Sequence, residues 1–175
     1  MTINVGVTEK VEKLYPVYFF YGVESFLIEE ALRDIRKKLC LGSDPSSAVT
    51  FDLEETPVQT LIEEAETSSL FGEQRLIVGK NATFVTSVKS KGDILHQEKA
   101  LISYLEQPLA SNVVVFIANT DALDKRKKIT KAIEEHAYTL HFKPLREMEL
   151  LQWLTNHVQQ WGVRIEHDAA RKLIQ

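Results

Sequence analysis

Short apolar runs separated by amphipathic stretches set the limits on what this chain can fold into. The clearest run is Val113-Val114-Val115-Phe116-Ile117-Ala118, apolar throughout and rich in β-branched residues. Val17-Tyr18-Phe19-Phe20-Tyr21 is a second, closed by Gly22. Val49–Leu53, Arg75–Gly79 and Tyr138–Phe142 complete a set of five. A strand with one wet face alternates apolar and polar residues; the most apolar of these runs do not, so they predict strands buried on both faces. Helical patterns lie between them. Leu27, Ala31, Ile35 and Leu39 step along one face after the first run. Val58, Leu61, Ile62 and Ala65 form the stripe of the next helix, with Thr56-Pro57 reading as its N-cap and first-turn proline. Leu101, Tyr104 and Leu105 predict a helix that stops at Pro108, and Arg126 to His136 another, with Ile129, Ala132 and Ile133 inward. Strands alternating with helices predict an α/β fold, a parallel sheet covered on both faces.

The pattern changes at Lys143-Pro144-Leu145, after which everything reads as helical. Met148, Leu151, Leu154, Val158 and Trp161 share a face, and Gly162 is placed to stop that helix. A further helix starts around Asp168 and meets no stop signal before Gln175. The expectation is a boundary near residue 143, with the chain ending inside a second, small helical domain. Gly42 to Ser47 reads as a loop, and residues 81–96 as a polar, mobile segment. A length of 175 residues with 44% apolar content suffices for one proper core and part of another domain.

The net charge of −4 excludes a whole-chain polyelectrolyte partner for nucleic acid, while a local basic patch stays open. Cys40 is the single cysteine, so no disulfide scaffold exists; it reads as a small, half-buried apolar residue. The start has no basic leader or long apolar run, and no segment suits a membrane span. A cytoplasmic location is the expectation.

The turn after the first strand is where a phosphate cradle belongs. A P-loop needs Gly, four residues, then Gly-Lys and a hydroxyl, so that amides wrap the phosphates and the Lys neutralises them. Here Gly22 is followed by Leu27, Ile28 and Glu29 at the last three positions. The lysine is gone and a carboxylate stands where the Mg²⁺-holding hydroxyl belongs. After Arg75-Leu76-Ile77-Val78 come Gly79-Lys80-Asn81, with no acidic Mg²⁺ ligand. His96, His136, His141, His157 and His167 show no metal-ligand spacing, and Ser68-Ser69 has no nearby base. Surface or capping roles are expected for all of these. No catalytic residue, metal or cofactor is expected.

Ser68-Ser69-Leu70-Phe71-Gly72 follows a well-patterned helix. Its two large apolar side chains either tuck back into the core or stand out as a plug for a partner's pocket. Asp124-Lys125-Arg126-Lys127-Lys128, with Lys131, is the one dense basic cluster. It reads either as a solvated helix start or as a phosphate-backbone contact, and lysines at a helix N-terminus run against the macrodipole.

Four stretches together resemble the delta subunit family of bacterial DNA polymerase III. They are Tyr18 to Ala31, Ser69 to Val78, Asn119 to Lys128, and Phe142-Lys143-Pro144-Leu145. The resemblance runs over essentially the whole chain. It implies a fold like that of AAA+ ATPases: a five-stranded, mostly parallel sheet flanked by helices over residues 1–142, then the start of a small helical lid domain over 143–175. A C-terminal collar domain would be absent. It implies a non-enzymatic clamp-loader subunit of the polymerase holoenzyme that binds and helps open the sliding clamp, the beta subunit, for loading on primed DNA. ATP would act on partner motor subunits. The family's clamp-contacting pair maps onto Leu70 and Phe71, with Ser68, Ser69 and Gly72 beside them. Its basic segment maps onto Asp124 to Lys128, where Lys125, Arg126, Lys127 and Lys128 would meet DNA. Delta prime and tau/gamma would be the other loader partners, and no membrane would be involved. The rival readings are an active P-loop ATPase or nucleotide kinase, and a DNA-binding module built on residues 125–131.

Overall fold

The computed structural model describes residues 2–4, 13–39, 48–67, 74–87, 94–159 and 161–174. The strands are β1 (Thr2–Asn4), β2 (Val17–Gly22), β3 (Ala48–Asp52), β4 (Arg75–Lys80), β5 (Asn112–Ala118) and β6 (Tyr138–Phe142). The helices are α1 (Ser25–Lys38), α2 (Val58–Glu66), α3 (Glu98–Glu106), α4 (Lys128–His136), α5 (Glu147–Gln159) and α6 (His167–Leu173). The sheet order is β1-β6-β2-β5-β4-β3, and every pair is parallel. All five expected strands are present. A sixth, three-residue strand, β1, adds to the edge beside β6; it is too short to show a period of its own.

The two faces of the sheet carry separate cores. On β2, Phe19 and Tyr21 turn toward α2, α3 and α4, together with Ile77, Val114 and Phe116. Tyr18 and Phe20 turn toward α1, with Leu76, Val78, Val113 and Val115. This period of two makes the central strands apolar at nearly every position: each residue meets a helical layer. β5, buried along its whole length, is the middle of the molecule.

Several local expectations need correcting. Thr56 does not cap α2. Pro57 holds the N-cap position and makes no side-chain bond there, while the Val58 N–H donates to His96 Nδ1 at 3.1 Å. The cap thus arrives from 38 residues away. Residues 81–85 are not a mobile polar stretch: Ala82, Phe84 and Val85 are buried around a 3-10 turn at Thr83–Val85. α4 starts at Lys128 rather than Arg126, because Asp124 folds Lys125–Lys127 into a turn first. α1 buries Ile28 and Leu32 in addition to Leu27 and Ile35. His141 is neither a surface nor a capping residue; it is buried on β6 and stacks on Tyr21, centroids 4.1 Å apart.

The expected face of α5 is also wrong at both ends. Met148 and Trp161 are exposed, whereas Leu151 is buried as expected and Trp153, outside the expected row, faces inward. Trp153 packs on the α1 side of the sheet and lies edge-on to Phe26 at 5.0 Å. Gly162, with φ of +73°, ends this helix as expected, and the Val163 N–H returns to the Val158 carbonyl at 3.1 Å.

Candidate functional site

The carboxyl ends of parallel strands are where α/β proteins hold ligands. At this edge the turn between β2 and α1 consists of Val23 and Glu24 alone. Gly22 has φ of +140°, and a Cβ there would lie 2.0 Å from the Phe142 carbonyl oxygen. The glycine therefore serves the close passage of β6, in the register Gly22↔Phe142. Ile28, at the P-loop lysine position, is 3% exposed and packs beneath α1. Glu29, at the hydroxyl position, pairs with Lys80 at 3.4 Å. A two-residue turn has too few amides to wrap a phosphate chain, and the cation at the end of β4 already has a carboxylate.

The other polar groups at this edge bind one another. Asn81, which follows β4 with φ of +57°, donates from Nδ2 to Asp52 Oδ1 at 3.0 Å. Asn119, which follows β5, donates from Nδ2 to Asn81 Oδ1 at 3.2 Å. The Asn81 hydrogen bond is the main reason that the Asp52 carboxyl lies below its ordinary range. His141 Nε2 lies 3.5 Å from Asp121 Oδ1, and burial is the main cause of its lowered pKa. Sequence reasoning did not single out this chain of Asp52, Asn81 and Asn119. Polar residues directly after apolar strands were the available signal. Among the described residues no group of three or more His, Cys, Asp and Glu could hold a metal ion, and no helix is long and apolar enough to cross a membrane.

Ser68, Ser69, Leu70, Phe71 and Gly72 lie outside the described residues, as does Cys40. Their flanks are well defined. α2 buries Val58, Leu61, Ile62 and Ala65 and ends at Glu66, and Arg75 opens β4 with its guanidinium paired to Glu64. The flanking residues thus stand at the amino ends of the strands, opposite the turn that follows β2.

The basic cluster is largely engaged by its own fold. Asp124 accepts Arg126 Nε and Nη2, both at 3.0 Å, the Arg126 amide at 3.1 Å and Ser87 Oγ at 2.9 Å. These bonds, the Arg126 side chain first, hold its carboxyl far below the ordinary range. Lys127 donates from Nζ to the Phe84 carbonyl at 2.7 Å. Lys125 lies 3.8 Å from Glu134. Lys128 and Lys131 are exposed on α4. Local pairing therefore accounts for much of a cluster that runs against the helix dipole.

The sequence matches the family described as DNA polymerase III, delta subunit, over residues 18–143. It is 35% identical over 175 residues to the DNA polymerase III subunit delta of Bacillus subtilis (strain 168), taking in 99% of this chain and 50% of that protein. In three dimensions it is similar to the Bacillus subtilis DNA clamp loader delta protein, with a TM-score of 0.76 at 36% identity, over 92% of this chain and 48% of that one. The chain thus spans about half the length of the curated relative it matches. The matched region runs from β2 to the end of β6, the whole α/β sandwich apart from its edge strand β1, and on that ground the chain belongs to the DNA polymerase III delta subunit family.

Proposed function

We propose that this chain is part of a clamp-loader subunit that binds the bacterial sliding clamp through Leu70 and Phe71 and helps open the ring without an ATPase of its own. The observation that carries this reading is the closed turn after β2. Ile28 is buried where a nucleotide-binding relative needs its lysine, and the Phe142 backbone fills the space beside Gly22. A family member with that turn is suited to binding a partner rather than to consuming nucleotide. Ser68, Ser69 and Gly72 are the small neighbours of the apolar pair in the sequence. Each of the two side chains buried in a clamp pocket would contribute about 1.5–3 kcal/mol, enough for a hot spot. Preference for the opened ring would shift its equilibrium by the difference in affinity between the two states.

In this reading residues 1–142 form the degenerate AAA+-like domain and residues 143–175 begin the lid. Contacts with delta prime and tau/gamma would lie mainly in the part that the longer relatives have in addition, and ATP would act on the motor subunits among the loader partners. Primed DNA enters only with the assembled loader. Lys125 and Arg126 keep side chains that are 77% and 86% exposed despite their partners, so a phosphate contact by Lys125 to Lys128 is the second reading. Its signature is DNA affinity that falls steeply with salt.

The test is a pull-down with purified sliding clamp. The expected result is that Leu70→Ala/Phe71→Ala abolishes capture while far-UV circular dichroism and cooperative melting persist. Loss of fold together with capture would return the pair to the core.

A further inference from the structure

α2 ends without the usual local stop signals. Its last turn has no basic side chain but carries Glu63, Glu64 and Glu66, and carboxylates there face the negative end of the helix dipole. No glycine follows it directly. The helix-end carbonyls still need donors. Thr67 supplies two, from Oγ1 to the Glu63 carbonyl at 3.0 Å and from its amide to the Glu64 carbonyl at 3.2 Å. The remaining bonds come from another part of the chain. Asn112, the first residue of β5 and 0% exposed, donates from Nδ2 to the carbonyls of Ala65 at 2.7 Å and Thr67 at 3.1 Å. The missing cation is Arg75, the first residue of β4, which pairs with Glu64.

Arg75 and Asn112 are register partners across β4 and β5. Together they bracket residues 68–73 on both sides. Asn112 holds the backbone immediately before that segment, and Arg75, just after it, is tied back to α2. Asn112 carries a cost in this role, because its Oδ1 is buried with no hydrogen-bond partner. An apolar side chain would avoid that cost but would leave the departure point of the chain unfixed.

We infer that Asn112 and the Glu64–Arg75 pair are positioning residues for the clamp contact. They hold the backbone on either side of the stretch that carries Leu70 and Phe71, at Thr67 and at Arg75, and so set where that stretch leaves and rejoins the fold. This rests on the reading that Leu70 and Phe71 meet the clamp, although none of the three positioning residues needs to touch it. The Glu64 and Arg75 side chains are 32% and 27% exposed, so the pair can be exchanged without opening the core.

The experiment measures the affinity of this chain for the sliding clamp, at a temperature where circular dichroism shows every variant folded. The variants are Asn112→Ala, Glu64→Arg, Arg75→Glu, the exchanged pair Glu64→Arg/Arg75→Glu, and Leu70→Ala/Phe71→Ala. Asn112→Ala and each single charge reversal should bind about five- to tenfold more weakly, and the exchanged pair should recover to within about twofold of the parent. A purely structural role would change melting temperature but not the affinity of folded protein. If Asn112→Ala does not fold, the charge pair decides alone. Parent-like binding by both single reversals, with binding lost in the Leu70/Phe71 variant, would overturn the positioning role and leave the clamp contact standing. Parent-like binding by the Leu70/Phe71 variant would overturn the contact, and the positioning role with it.

Discussion

At the scale of single residues, Gly22 and His96 are fixed by contacts that sequence alone gives no means of seeing. Gly22 reads as the remnant of a phosphate turn, yet its φ of +140° and the Phe142 carbonyl oxygen, which a Cβ would meet at 2.0 Å, tie it to the β2–β6 ladder. The obstacle is backbone, so rotamer changes cannot relieve it. Gly22→Ala should cost about 3 kcal/mol or more, read as a drop in the urea midpoint; a drop equivalent to less than about 1 kcal/mol would show that β6 yields easily. His96 accepts the Val58 amide at Nδ1, and its pKa is lowered from the ordinary 6.5, chiefly by burial. The fold thus favours neutral imidazole, and the unfolded chain takes up the proton first. The stabilisation is complete above the unfolded value and is lost as pH falls from there through the lower folded value. Urea midpoints should therefore fall between about pH 7.5 and about pH 5.5, and His96→Phe should flatten part of that slope while costing about 1 kcal/mol at neutral pH through the lost cap. Burial lowers His141 as well, so a reduced acid limb should remain. An unchanged slope in His96→Phe would contradict the assignment.

At the scale of elements, the continuous runs of β2, β4 and β5 were legible because burial on both faces removes any polar alternation. α1, α2 and α4 were legible because only one stripe of each is apolar. α5 was not, because it has two candidate stripes. The Met148–Leu151–Leu154–Val158 row and the Trp153–His157 pair both satisfy helical spacing, and how far each is buried depends on what α1 meets. Phe26, Glu30 and His157 decide it. Trp153 stacks on His157 at 4.8 Å, Trp153 Nε1 donates to Glu30 Oε2 at 3.4 Å, and His157 Nδ1 lies 3.4 Å from Glu30 Oε1. Trp153→Ala should therefore release α5 first. Limited proteolysis should cut between residues 143 and 159 while a fragment spanning β2 to β6 survives, with stability reduced by about 1–3 kcal/mol for a half-buried aromatic. Uniform digestion of the whole chain would mean that α5 and the sheet form one cooperative unit. Asn112 shows the same limit of sequence reading, since a polar residue at a strand start reads as loop until the end of α2 is brought to it.

At the scale of the whole molecule, a sheet that elsewhere would support nucleotide chemistry has its carboxyl edge closed by its own residues. The sequence announced half of this through Ile28 and Glu29. The other half, Phe142 against Gly22 and the Asp52–Asn81–Asn119 chain, depends on strand order and became visible only in three dimensions. The central claim is that this chain binds the clamp passively. Its most direct test is the affinity of the isolated chain for the sliding clamp with and without Mg²⁺ and ATP. The account expects the two affinities to agree, with no heat of nucleotide binding to the chain alone; a clamp affinity that requires ATP, or saturable ATP binding by this chain, would contradict it.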